Sequence, residues 1–177
     1  KMLLLDIETG GFQVEDGIFE VAVLVVEDGQ IVDSLHLGEI EDENEIHEGM
    51  GAGYACISKN EYYISKFQSF VTKYPYPVIA HNASFDRKFL VHYGWISEEA
   101  PFYDSVRAIK SACPYLFGYS LDYLVNYFGI ERGNAHTATD DVHVLFKILE
   151  TTQPNQWLPL YKASPKAFKS SAKSFLE

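Results

Sequence analysis

Two carboxylates stand one residue apart at the end of the first apolar run of the chain. Residues 3–10 read Leu-Leu-Leu-Asp-Ile-Glu-Thr-Gly, so the two acids are Asp6 and Glu8. In a β-strand, residues i and i+2 project to the same face, so both carboxylates would share one face of a buried strand. Like charges there repel each other, and a divalent cation is the usual way to offset the repulsion. The pair predicts a metal site, provided that further acids reach the same face.

A third acid lies in a segment with helical spacing. Phe89, Leu90 and Tyr93 follow Asp86 at helical intervals, so Asp86 falls on the apolar stripe of the predicted helix. An acid in a first helical turn can simply stabilise the helix dipole. An unpaired carboxylate on an apolar stripe is costly, however, and this favours a functional role for Asp86.

Helical spacing also separates the two adjacent acids that begin the segment 138–149. Asp141 shares a face with the apolar residues at positions 138, 145, 148 and 149, whereas Asp140 falls with His143 and Lys147 on the wetter side. We predict that Asp141 is the functional acid and that Asp140 is a surface charge or a partner of the helix dipole.

His136 directly precedes this predicted helix. A histidine in that position is commonly a cap or a surface residue. Imidazole exchanges a proton near neutral pH, so beside an inward-facing Asp141 the same residue is also a candidate general base.

The elements that must position these residues are those of an α/β domain. Short, largely apolar runs predict strands, and Asp28-Gly29 predicts a hairpin turn between two of them. Helical spacing dominates the rest of the chain, so we expect a mixed sheet flanked by helices, with a loop over Glu39–Gly53. The predicted strands are 2–7, 18–26, 30–37 and 78–80, and the predicted helices are 59–73, 85–93, 105–113, 120–127, 138–149 and one opened by Ser164-Pro165.

Composition limits the kind of protein. The 177 residues, 47% of them hydrophobic, predict one domain with a sizeable core, and the formal net charge of −11 argues against coating of duplex DNA. A nucleic acid held at a metal site remains compatible with that charge, because the metal supplies the positive charge. We expect no membrane span or signal peptide, and buried free thiols at Cys56 and Cys113 in a reducing, cytoplasmic compartment.

Taken in order, the acidic segments resemble the DEDDh family of 3′–5′ exonucleases, the DnaQ-like group within the ribonuclease-H-like fold. Residues 6–10, 81–90 and 136–141 match the three motifs of that family, and Asp104-Ser105 and Leu121–Ile130 are similar to its intervening segments. The resemblance covers residues 2–150. It implies an α/β, ribonuclease-H-like mixed five-stranded sheet flanked by helices, in a single exonuclease domain over 1–177 with a helical extension at about 157–177.

The resemblance also implies a mechanism. Four carboxylates would bind two Mg²⁺ or Mn²⁺ ions about 4 Å apart, one helping to form hydroxide and one stabilising the leaving 3′ oxygen. His136 would take the proton of the attacking water, and the product would be a nucleoside 5′-monophosphate. The implied metal ligands are Asp6, Glu8, Asp86 and Asp141.

Four further residues are candidates for substrate binding. The backbone at Thr9 and Gly10 would hold the terminal nucleotide. Phe12 either stacks on its base or belongs to the core, and Asn82 either contacts the site or fixes its own turn.

Two segments depart from the family pattern or lie outside it. Residues 46–54 are acidic and Gly-rich where the family commonly has a pocket-shaping segment, and Glu39–Glu48 is either a solvated loop or a barrier to long polyanions. A basic stripe near the C-terminus is either a solvated helix face or a contact for phosphate or an acidic partner. Its residues are Lys162, Lys166, Lys169 and Lys173.

The expected substrate is a single-stranded nucleic-acid 3′ end, with a polymerase or replication protein as a possible partner and no membrane. The wording of the motifs favours DNA and a proofreading-type enzyme. An exoribonuclease is the alternative within the family, and a non-catalytic binding subunit is the alternative of another class.

Overall fold

The computed structural model describes residues 1–133 and 136–160, which form a mixed six-stranded sheet flanked by helices. The strands are β1 Met2–Thr9, β2 Ile18–Glu27, β3 Gln30–Ile40, β4 Tyr54–Ala55, β5 Val78–Ala80 and β6 Phe102–Asp104. The helices are α1 Glu61–Lys73, α2 Ala83–His92, α3 Ser105–Ala112, α4 Leu121–Phe128 and α5 Ala138–Thr152. The strand order is β4-β3-β2-β1-β5-β6, with antiparallel pairing from β4 to β1 and parallel pairing from β1 to β6.

The two faces of β1 pack into two separate cores. Met2 and Leu4 pack with α3, α4 and α5 on one face, whereas Leu3 and Leu5 pack with α1 and α2 on the other. Since side chains alternate along a strand, positions 6 and 8 continue the face that α5 covers. The fold therefore places the predicted acidic pair beneath the helix that carries Asp141.

Most predicted elements are confirmed, and the hairpin is confirmed at its turn. Asp28 and Gly29 have φ angles of 53° and 76°, the left-handed pair that a two-residue hairpin requires. The strand count of five is wrong by one, because β4 adds two residues beside β3. That pairing needs Gly38, since a Cβ there would lie 2.6 Å from the Tyr54 ring.

The predicted loop over 39–53 holds except at its two short ordered pieces. β3 runs on to Ile40, and Ile46–Glu48 forms one 3₁₀ turn. β6 was missed although it is as long as β5, because it ends on the polar Asp104 whereas the three residues of β5 are all apolar.

The start of the predicted C-terminal helical extension is extended instead. Trp157 is buried, Pro159 bridges to Tyr103, and the Leu160 amide donates to the Phe102 carbonyl at 2.8 Å. Residues 157–160 thus lie beside β6. The helix predicted at Ser164-Pro165 and the basic stripe lie outside the described residues.

Both cysteines are free, but only one is buried. Cys113 packs in the core as predicted, whereas Cys56 is exposed, so its predicted burial is wrong. Among the residues described, no helix combines the length and apolarity needed to cross a bilayer.

Candidate active site

Three of the four predicted metal ligands meet above β1. Asp6 and Glu8 project from one face of the strand, and α5 crosses that face and presents Asp141 from its first turn. One carboxylate oxygen from each residue lies within 4.8 Å of the others. The spacing argument therefore places these residues correctly, while their role as metal ligands stays a prediction.

Asp86 is buried beside this group but is held by a different contact. Its Oδ2 accepts a hydrogen bond from the Ile7 amide at 3.3 Å. Because β5 ends at Ala80, its register with β1 covers Leu3 and Leu4, and the Ile7 amide farther along is free to bond Asp86. Asp86 thus approaches from α2 at the edge between β1 and β5, which confirms that it points inward.

The charges around Asp6 are unbalanced. Burial raises the pKa of Asp6 well above its usual range, and the neighbouring carboxylates Glu8, Asp86 and Asp141 raise it further. Burial and Asp141 raise the pKa of Glu8 to about 9. The Asp6 Oδ2 atom is buried and has no hydrogen-bond partner among the described residues. Carboxylate oxygens are hard ligands, and the Asp6 oxygen that accepts no hydrogen bond can still coordinate an ion. The group therefore fits a divalent cation such as Mg²⁺ or Mn²⁺.

Arg132 balances the outer side of the site, and the sequence reasoning missed it. Its guanidinium pairs with Asp122 at 2.6 Å, with Asp140 at 2.9 Å and with Asp141. Burial raises the pKa of Asp141, and Arg132 opposes that shift. One signal was available, since Arg132 is the only Lys or Arg between Lys110 and Lys147 in a stretch that contains these three acids.

Asp140 is not the surface charge that was one of its two predicted roles, although it does lie in the first turn of α5, where an acid stabilises the helix dipole. Its side chain is only 11% exposed, and besides pairing with Arg132 it accepts the Gly133 amide at 2.6 Å. The expected surface charge is therefore an internal anchor. Helical spacing placed Asp140 off the apolar stripe but could not show that the preceding loop folds back onto it.

His136 stands at the open side of the cluster. It adopts a left-handed backbone with φ of 67°, its side chain is 57% exposed, and its Nε2 lies 3.9 Å from Asp122 Oδ2. The Gly-rich segment supports this turn: Met50 donates to the His136 carbonyl at 3.4 Å, and a Cβ on Gly49 would lie 2.6 Å from the His136 Cβ. Segment 46–54, where the sequence departs from the family pattern, therefore packs against His136.

Glu20 is a second residue that the sequence reasoning missed. It is buried and faces Glu8 directly in the β1–β2 register. Its carboxylate accepts the Ala138 amide at 2.9 Å and lies 2.6 Å from His36 Nε2, so it ties the start of α5 to β2. An acid inside the apolar run of β2 was the signal, because such a group is costly unless paired.

The predicted nucleotide-binding residues lie at the end of β1. Thr9 is buried and donates from its hydroxyl to the Gly11 carbonyl at 2.7 Å. A Cβ on Gly10 would lie 2.5 Å from the Asp16 carbonyl oxygen, so only glycine fits. Phe12 is 76% exposed and meets Phe85 edge-on at 6.4 Å, which excludes the core alternative.

Asn82 opens α2 in a left-handed conformation with φ of 62°. Its side chain makes no capping hydrogen bond, and its backbone N–H donates to Asp104 Oδ1 at 2.9 Å. Asn82 also lines a cavity of about 530 Å³ that reaches Arg132, His136 and Asp141. It therefore serves the turn through its backbone while facing the site.

Comparison with known proteins identifies the family. A family model described as Exonuclease matches residues 3–149, which include all of the acidic positions above. The chain belongs to this exonuclease family. Within that family, its three acidic motifs are of the DnaQ-like, DEDDh type.

Relatives and solved structures agree with that assignment. The domain is 31% identical over 160 residues, 82% of the chain, to a PolC-type DNA polymerase III of Thermotoga petrophila, of which it spans 11%. Its fold is similar to that of Exonuclease X bound to 5′-overhanging duplex DNA, with a TM-score of 0.55, 22% identity and coverage of 86% and 93% of the two chains. It is also similar to a 3′-exonuclease that recognises a histone mRNA stem-loop, with a TM-score of 0.62, 13% identity and coverage of 99% and 94%.

Proposed function

We propose that this domain is a metal-dependent exonuclease that releases nucleoside 5′-monophosphates from the 3′ ends of DNA. The observation that carries the proposal is the group formed by half-buried Asp6 and Glu8 and buried Asp141, whose oxygens lie within 4.8 Å of one another. A cluster of carboxylates that includes a buried oxygen without a partner is unfavourable by itself and favourable around a cation.

Asp6, Glu8 and Asp141 would hold the cations, with Asp86 beside them. Two bound Mg²⁺ or Mn²⁺ ions would activate water and neutralise charge at the scissile phosphate. The protein contributes the fixed positions of these acids, since β1 sets two of them and the Glu20 bond to Ala138 sets the start of the helix that carries the third.

His136 is placed to receive a proton. Its ring is exposed, lines the same cavity as Asp141, and holds Nε2 at 3.9 Å from Asp122 Oδ2. We assign it as the general base that takes a proton from the attacking water.

The end of β1 would receive the terminal nucleotide. Gly10 lets the backbone turn closely there, and Phe12 presents an open ring on which any base can stack. This arrangement recognises a strand end without reading its sequence.

The choice of DNA rests on similarity to PolC-type DNA polymerases, which also supports action alongside a polymerase. RNA is the alternative substrate, because the described site residues include no contact that separates a deoxyribose from a ribose.

The two free thiols support a reducing, cytoplasmic location.

The test uses matched DNA and RNA single strands carrying a label at the 3′ or the 5′ end. With Mg²⁺ or Mn²⁺ we expect labelled mononucleotide from the 3′-labelled strand at once, a shortening ladder from the 5′-labelled strand, and faster release from DNA. EDTA and Asp141→Asn should stop both. Absence of mononucleotide with either metal would overturn the proposal and favour a non-catalytic binding subunit, and faster release from RNA would overturn the choice of DNA.

A further inference from the structure

Exposed aromatic rings lie on α4 and on the segment that precedes it. Phe117 is 99% exposed, Tyr115 is 67% exposed and Tyr127 is 51% exposed. The Tyr123 and Tyr127 rings are stacked, with centroids 6.2 Å apart and an interplanar angle of 16°. We call Tyr115, Phe117, Tyr123 and Tyr127 the aromatic strip. Large exposed rings in one place are characteristic of a binding surface.

The aromatic strip is continuous with the active site. Between Phe117 and Tyr123 the chain passes through residues 119–122, which line the same cavity as His136 and Asp141. Two hydrogen bonds hold this stretch: the His81 ring donates from Nε2 to the Tyr119 carbonyl at 2.5 Å, and the Phe117 amide donates to the Tyr123 hydroxyl at 3.4 Å. A strand that leaves the cleft on this side would run onto the strip.

The charges of the region fit a nucleic acid held mainly by its bases. Lys110 lies over the Tyr119 ring at 5.9 Å, so one cation borders the strip. Asp122, the acid at its base, is already paired with Arg132. A net charge of −11 opposes binding through phosphate contacts alone, and stacking on aromatic rings supplies affinity that does not depend on charge.

We propose that the aromatic strip binds the nucleotides upstream of the 3′ end of a single-stranded nucleic acid by base stacking. The inference rests on the proposed function, because it assigns the path of the same substrate. It predicts that long strands are preferred over short ones and that base identity matters little.

The test compares a dinucleotide with a strand of about 12 nucleotides, a length within the range that single-strand-binding folds cover. Phe117→Ala combined with Tyr127→Ala should raise KM for the long strand tenfold or more, leave kcat unchanged and leave the dinucleotide unaffected, because the variant removes two rings on which upstream bases stack. Tyr62→Ala is the matched control, because Tyr62 is 61% exposed on α1; it should change neither substrate.

A second measurement follows binding without catalysis. In EDTA, fluorescence anisotropy of the long strand should show weaker binding when upstream bases are replaced by abasic sites. That loss should disappear in the Phe117→Ala, Tyr127→Ala variant, because both changes remove the same stacking.

Three results would overturn the proposal. The first is an equal change of KM for the dinucleotide and for the long strand. The second is a weakening of binding by abasic sites that persists in the double variant. The third is a sedimentation shift showing that the strip joins two copies of this chain. If the unmodified chain releases no mononucleotide but the anisotropy result holds, the proposed function fails while the strip assignment stands.

Discussion

Two acidic groups adjoin at Asp141, and they differ in how their charge is balanced. On the inner side, Asp6 and Glu8 have other carboxylates as their main charged neighbours. On the outer side, Asp122 and Asp140 share the Arg132 guanidinium. The number of acids is similar in the two groups, so a count of acids does not separate a metal site from a structural network.

The two groups differ in whether a side chain of the protein balances their negative charge, and the unbalanced group is the candidate metal site. The protein itself supplies the positive charge of the outer group, and this group fixes Arg132 and Gly133 against the start of α5. The negative charge of the inner group is balanced only when a cation or protons are added. Asp141 belongs to both groups, so the outer group positions this predicted metal ligand of the inner group.

The largest expected difference between the two groups comes from replacing each of the adjacent acids Asp141 and Asp140. Asp141→Ala should lower kcat/KM on the order of a thousandfold or more, because it removes a ligand that acts in the transition state. Asp140→Ala should keep most of the activity but lower the free energy of unfolding by about 1–3 kcal/mol, because it leaves the Gly133 amide and Arg132 short of a partner. Single-turnover kinetics and urea unfolding measure the two effects.

Comparable losses of activity in both variants would contradict the division into two groups. Asp140→Asn is the matched control, because its amide oxygen can still accept from Gly133 while its charge is removed. We expect its unfolding free energy to lie between that of the unmodified chain and that of Asp140→Ala.

Arg132→Met should convert the balanced group into an unbalanced one. With the cation gone, three acids lose their partner and the metal-free chain should lose about 3 kcal/mol of stability, as when a mostly buried ion pair is broken. Added Mn²⁺ should recover part of that loss by supplying positive charge at Asp141. Thermal unfolding with and without Mn²⁺ checks this, and equal melting temperatures for variant and parent without metal would count against the role of Arg132.

A smaller effect is expected from pH. The pKa of Glu8 rises from its ordinary value of 4.5 to about 9 in the folded chain. Between pH 4.5 and pH 9 the Glu8 carboxyl keeps its proton in the folded chain but loses it in the unfolded chain. The stability that this proton contributes is therefore full below about pH 4.5 and is lost as the pH rises through 9. The melting temperature of the metal-free chain should therefore fall toward alkaline pH, and Glu8→Gln should flatten the slope. An unchanged slope in Glu8→Gln would show that Glu8 is already ionised.

Much of the inner group could be predicted from sequence because it obeys local periodicity. The two-residue repeat of β1 placed Asp6 with Glu8, and the helical repeat placed Asp86 and Asp141 inward. These contacts depend on which face a residue occupies, and a short window of sequence fixes that face.

The outer group could not be predicted in the same way because its contacts cross loops. Arg132 meets Asp140 only after the chain turns back before α5, and Glu20 meets Ala138 across 118 positions. Phe12 also needed the structure, since an aromatic residue after a strand is equally compatible with the core and with solvent. Its 76% exposure separates the two.

The most direct test of the account is the stability of Asp6→Asn with and without Mn²⁺. Without metal the variant should melt at a higher temperature than the unmodified chain, because it removes one carboxylate from a repelling, buried group. With saturating Mn²⁺ the order should reverse, because the unmodified chain gains binding energy that the variant lacks. The same order of melting temperatures in both conditions would contradict the claim that these acids are assembled for a cation.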